Sequence, residues 1–118
     1  MADATLAELR NRTLQKLKVL QAGETAEAED VSLIEGIVAS VNEKLRDLQI
    51  CYWSDSACPQ SMLEDLAMYV ACHAAGDYMD EKETQAFRSA NEGLAERNMR
   101  RLSASRERFD KPVRQEYF

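Results

Sequence analysis

Between residues 57 and 79 the chain is apolar nearly all the way round a helical wheel. Met62, Leu63, Leu66, Tyr69, Val70 and His73 fill one face, and Ala67, Met68, Ala71 and Ala75 occupy much of the other. A helix of that kind is buried by neighbours on several sides, so this segment is expected at the centre of the fold with the other elements covering it. Pro59 suits a first helical position, and Ser61 with Glu64 three residues on has the spacing of a capping box.

The flanking segments are amphipathic and read as covers. From Thr5, residues Leu6, Leu9, Thr13, Leu17 and Leu20 recur on one stripe; Thr5 and Glu8 open the helix as a capping box and Gly23 ends it. After an acidic linker over 24–30, Val31, Ile34, Ile37, Val38, Val41, Leu45 and Leu48 gather on one side of a wheel. Their period and the length of the run predict a helix from about 26 to 49 rather than a strand, with its early acids at the positive end of the dipole. Residues 50–58 break the pattern, and Tyr52 and Trp53 beside Ser54, Asp55 and Ser56 predict a turn whose aromatics fold back as a lid over the helix pair. Asp80, with Glu83 at the third helical position, caps a last helix. Its inner stripe reads Phe87, Ala90, Leu94 and Asn98 and thins after Ala95 to Met99 and Leu102, so the helix is expected to outrun the core. Residues 103–118 show no period, contain Pro112 and end in Tyr117 and Phe118, and are expected to form an extended arm that orders against a partner. With 118 residues there is room for one hydrophobic core. The expected fold is all-α: a bundle of about four helices over 1–104 and an extended C-terminal arm over 105–118.

Charge divides the chain in two. The net charge is −6, but residues 1–80 carry 14 acids against 6 bases while residues 81–118 carry 7 acids against 9 bases. The first part is a poor ligand for nucleic-acid phosphates and suits a basic partner surface. The start of the chain lacks the basic and apolar regions of a secretory signal. The charge-free run over 66–76 is shorter than the roughly 20 residues a bilayer span needs. Three cysteines, an odd number, fit reduced thiols. A soluble, intracellular protein with no membrane partner is expected.

Candidate chemistry is sparse. Cys51, Cys58, Cys72 and His73 are the available soft ligands, but the first spacing is seven positions and Cys72 and His73 point about 100° apart on a helix, unlike the close pairs of structural zinc; buried thiols are the expected reading. His73, with Asp77 one turn later, could orient a general base, yet no nucleophile is placed by a motif; a core histidine satisfied by that acid is expected. With no Glu-x-x-His pair, no Gly-rich phosphate loop and no His-Glu-x-x-His, neither an enzyme nor a bound cofactor or metal is expected. Positive charge concentrates at Arg97, Arg100, Arg101, Arg106, Arg108, Lys111 and Arg114. That cluster suits phosphates, a solvated helix end, or an acidic protein surface. The interleaved aromatics favour the protein, and the expected partner-binding residues are Arg101, Arg106, Arg108, Phe109, Lys111, Arg114, Tyr117 and Phe118.

The order helix, acidic linker, long helix and aromatic turn with Trp53-Ser54-Asp55 is followed by Pro59-x-Ser61-Met62 and by a helix carrying Asp65-Leu66-Ala67 and Ala71-Cys72-His73-Ala74-Ala75-x-Asp77-Tyr78. From about residue 23 to 102 this resembles the head-to-tail adaptor, or tail accessory and head-completion, proteins of tailed bacteriophages. The resemblance implies a small helical bundle in the neck of a virion, assembled in the host cytoplasm. It implies a homo-oligomeric ring, commonly of twelve copies, beneath the portal protein, extending the DNA channel and offering a docking surface to a stopper or tail protein. The C-terminal segment would then lie along the portal. The acid-rich first eighty residues, including the stretch over 47–81 without lysine or arginine, would partly line the channel and let DNA pass without specific binding. The alternative is a small cytosolic helical regulatory protein that binds one protein partner through the basic arm, and a third reading is nucleic-acid binding through residues 97–114.

Overall fold

The computed structural model describes residues 3–21 and 23–110, the last six of them in backbone alone. The described elements are strand β1 (Ala4–Thr5), helix α1 (Leu6–Lys16), helix α2 (Ala28–Asp47), strand β2 (Ala57–Cys58), helix α3 (Leu63–Ala74) and helix α4 (Glu81–Asp110), with single 3-10 turns at Gln60–Met62 and Ala75–Asp77 on either side of α3. The fold is an all-α bundle of four helices with one two-residue antiparallel pairing, Ala4 opposite Cys58 and Thr5 opposite Ala57. α3 is the centre. Leu63, Leu66, Ala67, Tyr69, Val70, Ala71, Cys72 and Ala74 are all buried, and α4, α1 and α2 pack round them. Only Met68 and His73 among its apolar or aromatic residues reach an edge.

Local chemistry explains where the elements begin and end. The Thr5 hydroxyl accepts from the Glu8 amide at 3.1 Å while the Glu8 carboxylate accepts from the Thr5 amide at 3.0 Å, the reciprocal capping box expected for α1. Asp80 and Glu83 repeat the arrangement at α4. α1 stops seven residues before Gly23, because Lys18 takes a left-handed φ of 63°. The amides of Lys18 and Val19 then donate back to the carbonyls of Gln15 and Leu14, a Schellman closure built on lysine instead of glycine. α2 ends the same way round Gln49, φ 62°, with Ile50 donating to Leu45. At α3 the expected box of Ser61 and Glu64 does not form. The chain enters through the 3-10 turn after Pro59, and the Glu64 carboxylate is instead taken by Arg12 and Lys16 of α1.

The aromatic turn is a lid with a polar hinge. Trp53 is buried while its edge-on neighbour Tyr52 is exposed. The indole N–H donates to Oδ1 of the buried Asn42 at 3.2 Å, and Nδ2 of Asn42 donates to Asp55 at 3.1 Å. Arg46, one turn along α2, donates to the Trp53 carbonyl and to Asp55, both at 2.9 Å. The turn is thereby fixed to one face of α2, and its far end pairs with β1.

α4 differs from expectation in register and in length. Ala95, Met99 and Ser103 are its buried row, with Phe87, Asn91, Asn98 and Leu102 beside them; Ala90 and Leu94, expected inside, are exposed. The polar members of α4 decide the rotation: Asn98 donates to Asp65, Glu96 accepts from Tyr69, and Ser103 donates to the Ile50 carbonyl at 2.9 Å. The helix then runs on to Asp110. Residues 103–110, expected as extended arm, are therefore helical, because nothing in that stretch before Pro112 opposes helix continuation. The remainder of that arm, 111–118, lies outside the described residues.

Two substitutions test this packing. Leu66→Ala, at a fully buried site on α3, should lower unfolding free energy by about 2 to 5 kcal/mol in urea denaturation. Asn42→Ala leaves the Trp53 N–H buried without its acceptor and should cost about 1 to 3 kcal/mol. Since Trp53 is the chain's sole tryptophan, its fluorescence reports whether the lid has loosened; unchanged emission and unchanged stability would remove the hinge from the account.

Candidate partner-docking surface

The expected partner-binding residues fall into three groups. Arg101 is described in full and lies exposed on α4, one turn beyond the exposed Arg97. Neither makes an ion pair among the described residues, whereas Arg100 between them is tied to Glu96 at 3.1 Å. Arg106, Arg108 and Phe109 sit on helical backbone. Lys111, Arg114, Tyr117 and Phe118 lie outside the described residues. The structure thus joins Arg97, which the expected set left out, to Arg101 on one outward row. The i,i+4 spacing of Arg97 and Arg101 on one helix is the signal that joins them.

A second surface was not foreseen. Along α2, beside the His73 edge of α3, lies an open groove of about 560 Å³ lined by Ser32, Leu33, Gly36, Ile37, Ser40, Val41, Lys44 and His73. His73 is edge-on to Tyr69 at 4.8 Å, and the Lys44 ammonium stands 5.7 Å from the Tyr69 ring centre. Asp77 is not the partner of His73. α3 gives way to a 3-10 turn at Ala75 and leaves Asp77 exposed, so the one-turn spacing no longer brings it over the ring. Glu92 of α4 faces Nε2 instead, at 3.7 Å, too long for a hydrogen bond, and Nε2 has no hydrogen-bond partner among the described residues. Glu92 itself is held by Arg88 at 2.8 Å.

Burial therefore governs the imidazole. It lowers the His73 pKa from the ordinary 6.5, against the weaker opposing pull of Glu92 and with small help from Lys44 and Arg88. The hydrogen bond from Arg88 holds the Glu92 carboxyl below its usual range. Cys58 and Cys72 are buried thiols pushed up to about 11 by burial, which keeps them protonated and unreactive. Cys51 is a buried free thiol as well, its sulfur donating to the Trp53 carbonyl. Among the described residues no group of three or more His, Cys, Asp or Glu side chains is arranged to hold a metal ion, and no helix is long and apolar enough to cross a membrane.

The acidic stretch over 47–81 does not make one continuous face. Glu64 is paired with Arg12 and Lys16, Asp55 with Arg46, and Asp65 accepts from Asn98. Glu29, Glu43 and Asp47, along α2, remain exposed. The described surface thus holds one row of exposed arginines on α4 and one open groove along α2 whose lining includes Lys44.

The pH dependence of stability follows from the two shifted groups. With the folded-state pKa of His73 below 6.5, the unfolded chain binds the proton more readily. This contribution is full above pH 6.5 and is lost as pH falls from there through the depressed folded value. Glu92, also depressed, adds a second loss beginning near its ordinary 4.5. Urea melts from neutral pH downwards should show both, and His73→Gln should abolish the upper one only; an unchanged profile in that variant would mean the ring is already solvated.

Comparison of the chain with protein-family models, with curated proteins and with solved structures gives no match, so what it does is reached from its own residues.

Proposed function

We propose that this chain is a structural protein of a tailed-phage virion, a head-to-tail adaptor that joins a ring beneath the portal, extends the DNA channel and presents a surface to the stopper or tail. The observation that carries the reading is α4. Its last described anchor to the bundle is Ser103, and helical backbone continues for seven residues more, about 10 Å of helix in a molecule 53 Å long and 22 Å thin. A helix that continues beyond its last described anchor and bears the chain's densest run of arginines is suited to dock on another body. The helical bundle and the sequence order described above support the same reading. Net negative charge over the first eighty residues is consistent with DNA passing without specific binding. The chemistry found at the groove and at the buried thiols supplies no activated nucleophile, and a role in assembly accounts for more of the surface than a reaction does.

Electron microscopy of the purified chain mixed with the portal protein of its own genome tests this directly. A new ring of density on the tail-facing end of the portal is the expected result. A chain ending at Ala104 should keep the helical content and stability of the bundle but leave the portal bare, because the basic end of α4 and the residues after it provide the attachment. A bare portal with both full-length proteins folded would overturn the adaptor reading in favour of a regulatory protein with a single partner.

A further inference from the structure

The groove along α2 is apolar along its length and cationic at one end. Leu33, Ile37 and Val41 recur every fourth position and make a single apolar stripe, with Val41 buried and the other two half-buried. Lys44 follows on the next turn, so about 16 Å of helix separates Leu33 from the cation. Ser32, Gly36 and Ser40, each one position before a member of the stripe, are exposed and short and form a low outer wall. His73 brings in the edge of α3.

The lysine is held in place without being neutralised. Its ammonium lies 5.7 Å from the centre of the Tyr69 ring, within cation–π range, and Tyr69 is buried and fixed through its hydroxyl to Glu96. The carboxylates of α4 nearby are taken by other cations, Glu92 by Arg88 at 2.8 Å and Glu96 by Arg100 at 3.1 Å. Lys44 makes no ion pair among the described residues. Beyond the other end of the stripe lies the first turn of α2 with Glu29 and Asp30. An anion is therefore favoured beside Lys44 and disfavoured beside Leu33. The volume, about 560 Å³, falls within the roughly 300 to 1,000 Å³ of small-molecule sites, which combine an apolar lining with a few placed polar groups.

We propose that this groove binds an aliphatic carboxylate, its head at Lys44 and its chain laid along Val41, Ile37 and Leu33. One apolar stripe matches one alkyl chain, and an ammonium, a compact charge with rotatable donors, suits a small carboxylate head. The site is a property of the single chain and is independent of the adaptor reading.

Titration of the full-length chain with decanoate, followed in two-dimensional amide NMR spectra, tests it. Saturable shifts should centre on residues 33–44 and His73. Octanoate should bind at least about fourfold more weakly, the effect of one fully buried methylene. Lys44→Gln, at an exposed position, should weaken decanoate at least about tenfold, as loss of a charge-assisted hydrogen bond does, while Lys44→Arg keeps most of the affinity. Decyltrimethylammonium, of equal tail and opposite charge, should leave the groove unshifted. Circular dichroism checks each variant; if Lys44→Gln does not fold, Ser40→Phe, which fills the groove from an exposed position, takes its place and should weaken decanoate as much. Absence of saturable shifts, shifts scattered over the bundle, equal binding of the cationic amphiphile, or decanoate affinity unchanged in the variant would each overturn the proposal. So would a groove that ignores decanoate and answers only to an acidic amphipathic helical peptide. No portal enters this experiment, so its failure leaves the adaptor reading standing, and a bare portal leaves the carboxylate site standing.

Discussion

The rest of the structure depends on a helix with almost no polar face. Burying α3 on every side requires at least three neighbours, and among the described residues three other α-helices supply them. α1 and α4 carry most of that cover and α2 less. Each cover must therefore be amphipathic, and each must be tied at its ends by something more directional than apolar contact. Thr5, Asp80, Asn42 and Ser103 serve that purpose, through two capping boxes, a hydrogen bond under the tryptophan lid, and a hydroxyl held against the Ile50 carbonyl. Because the demand comes from α3, the polar groups that do enter the core sit at the margins where two covers meet.

The margin between α2 and the His73 edge of α3 is the exception that shapes the surface. α2 is pinned to the aromatic turn at its C-terminal half through Asn42 and Arg46, and near its N-terminus Asp30 accepts from Tyr78 at 2.7 Å. Held at both ends, it leaves the space beside its middle unfilled. Tyr69, His73, Lys44, Glu92 and Arg88 occupy the edge of that space. There the arginine holds the glutamate, burial lowers the pKa of the ring, and the lysine stands over the tyrosine face. A polar rim around an apolar lining is the usual character of a surface that another helix can cover, and it arises here from where α2 is anchored.

Most of the fold was legible in the residues, for definite reasons. Hydrophobic period located all four helices, and the Thr5 and Asp80 boxes are local signals that need no tertiary knowledge. What escaped depends on distant partners. Lys18 and Gln49 adopt left-handed backbone without being glycine, because Leu20 and Ile50 must fold under the bundle; nothing nearby in sequence announces this. Ser61 and Glu64 have the spacing of a cap, but two cations on α1 claim the glutamate. His73 was assigned Asp77 on the assumption of an unbroken helix, and the 3-10 turn at Ala75 hands it to Glu92. Of the expected docking residues only Arg101 is described in full, and the groove had no sequence signature because it is an absence between elements.

The register of α4 was the most instructive difference. Apolarity alone would turn Ala90 and Leu94 inward, yet the helix is rotated by about one residue so that Ala95, Met99 and Ser103 meet α3. The alternative would bury Arg97 and Arg101 against the core, and unpaired buried guanidinium groups cost far more than one exposed leucine. It would also separate Glu96 from Tyr69. Charge thus overrules hydrophobicity within a single helix, and the apolar residues it displaces are not scattered but collected on one row with the arginines that caused the rotation. The same electrostatic cost that orients α4 inside the subunit therefore also writes the surface by which the chain can meet a partner.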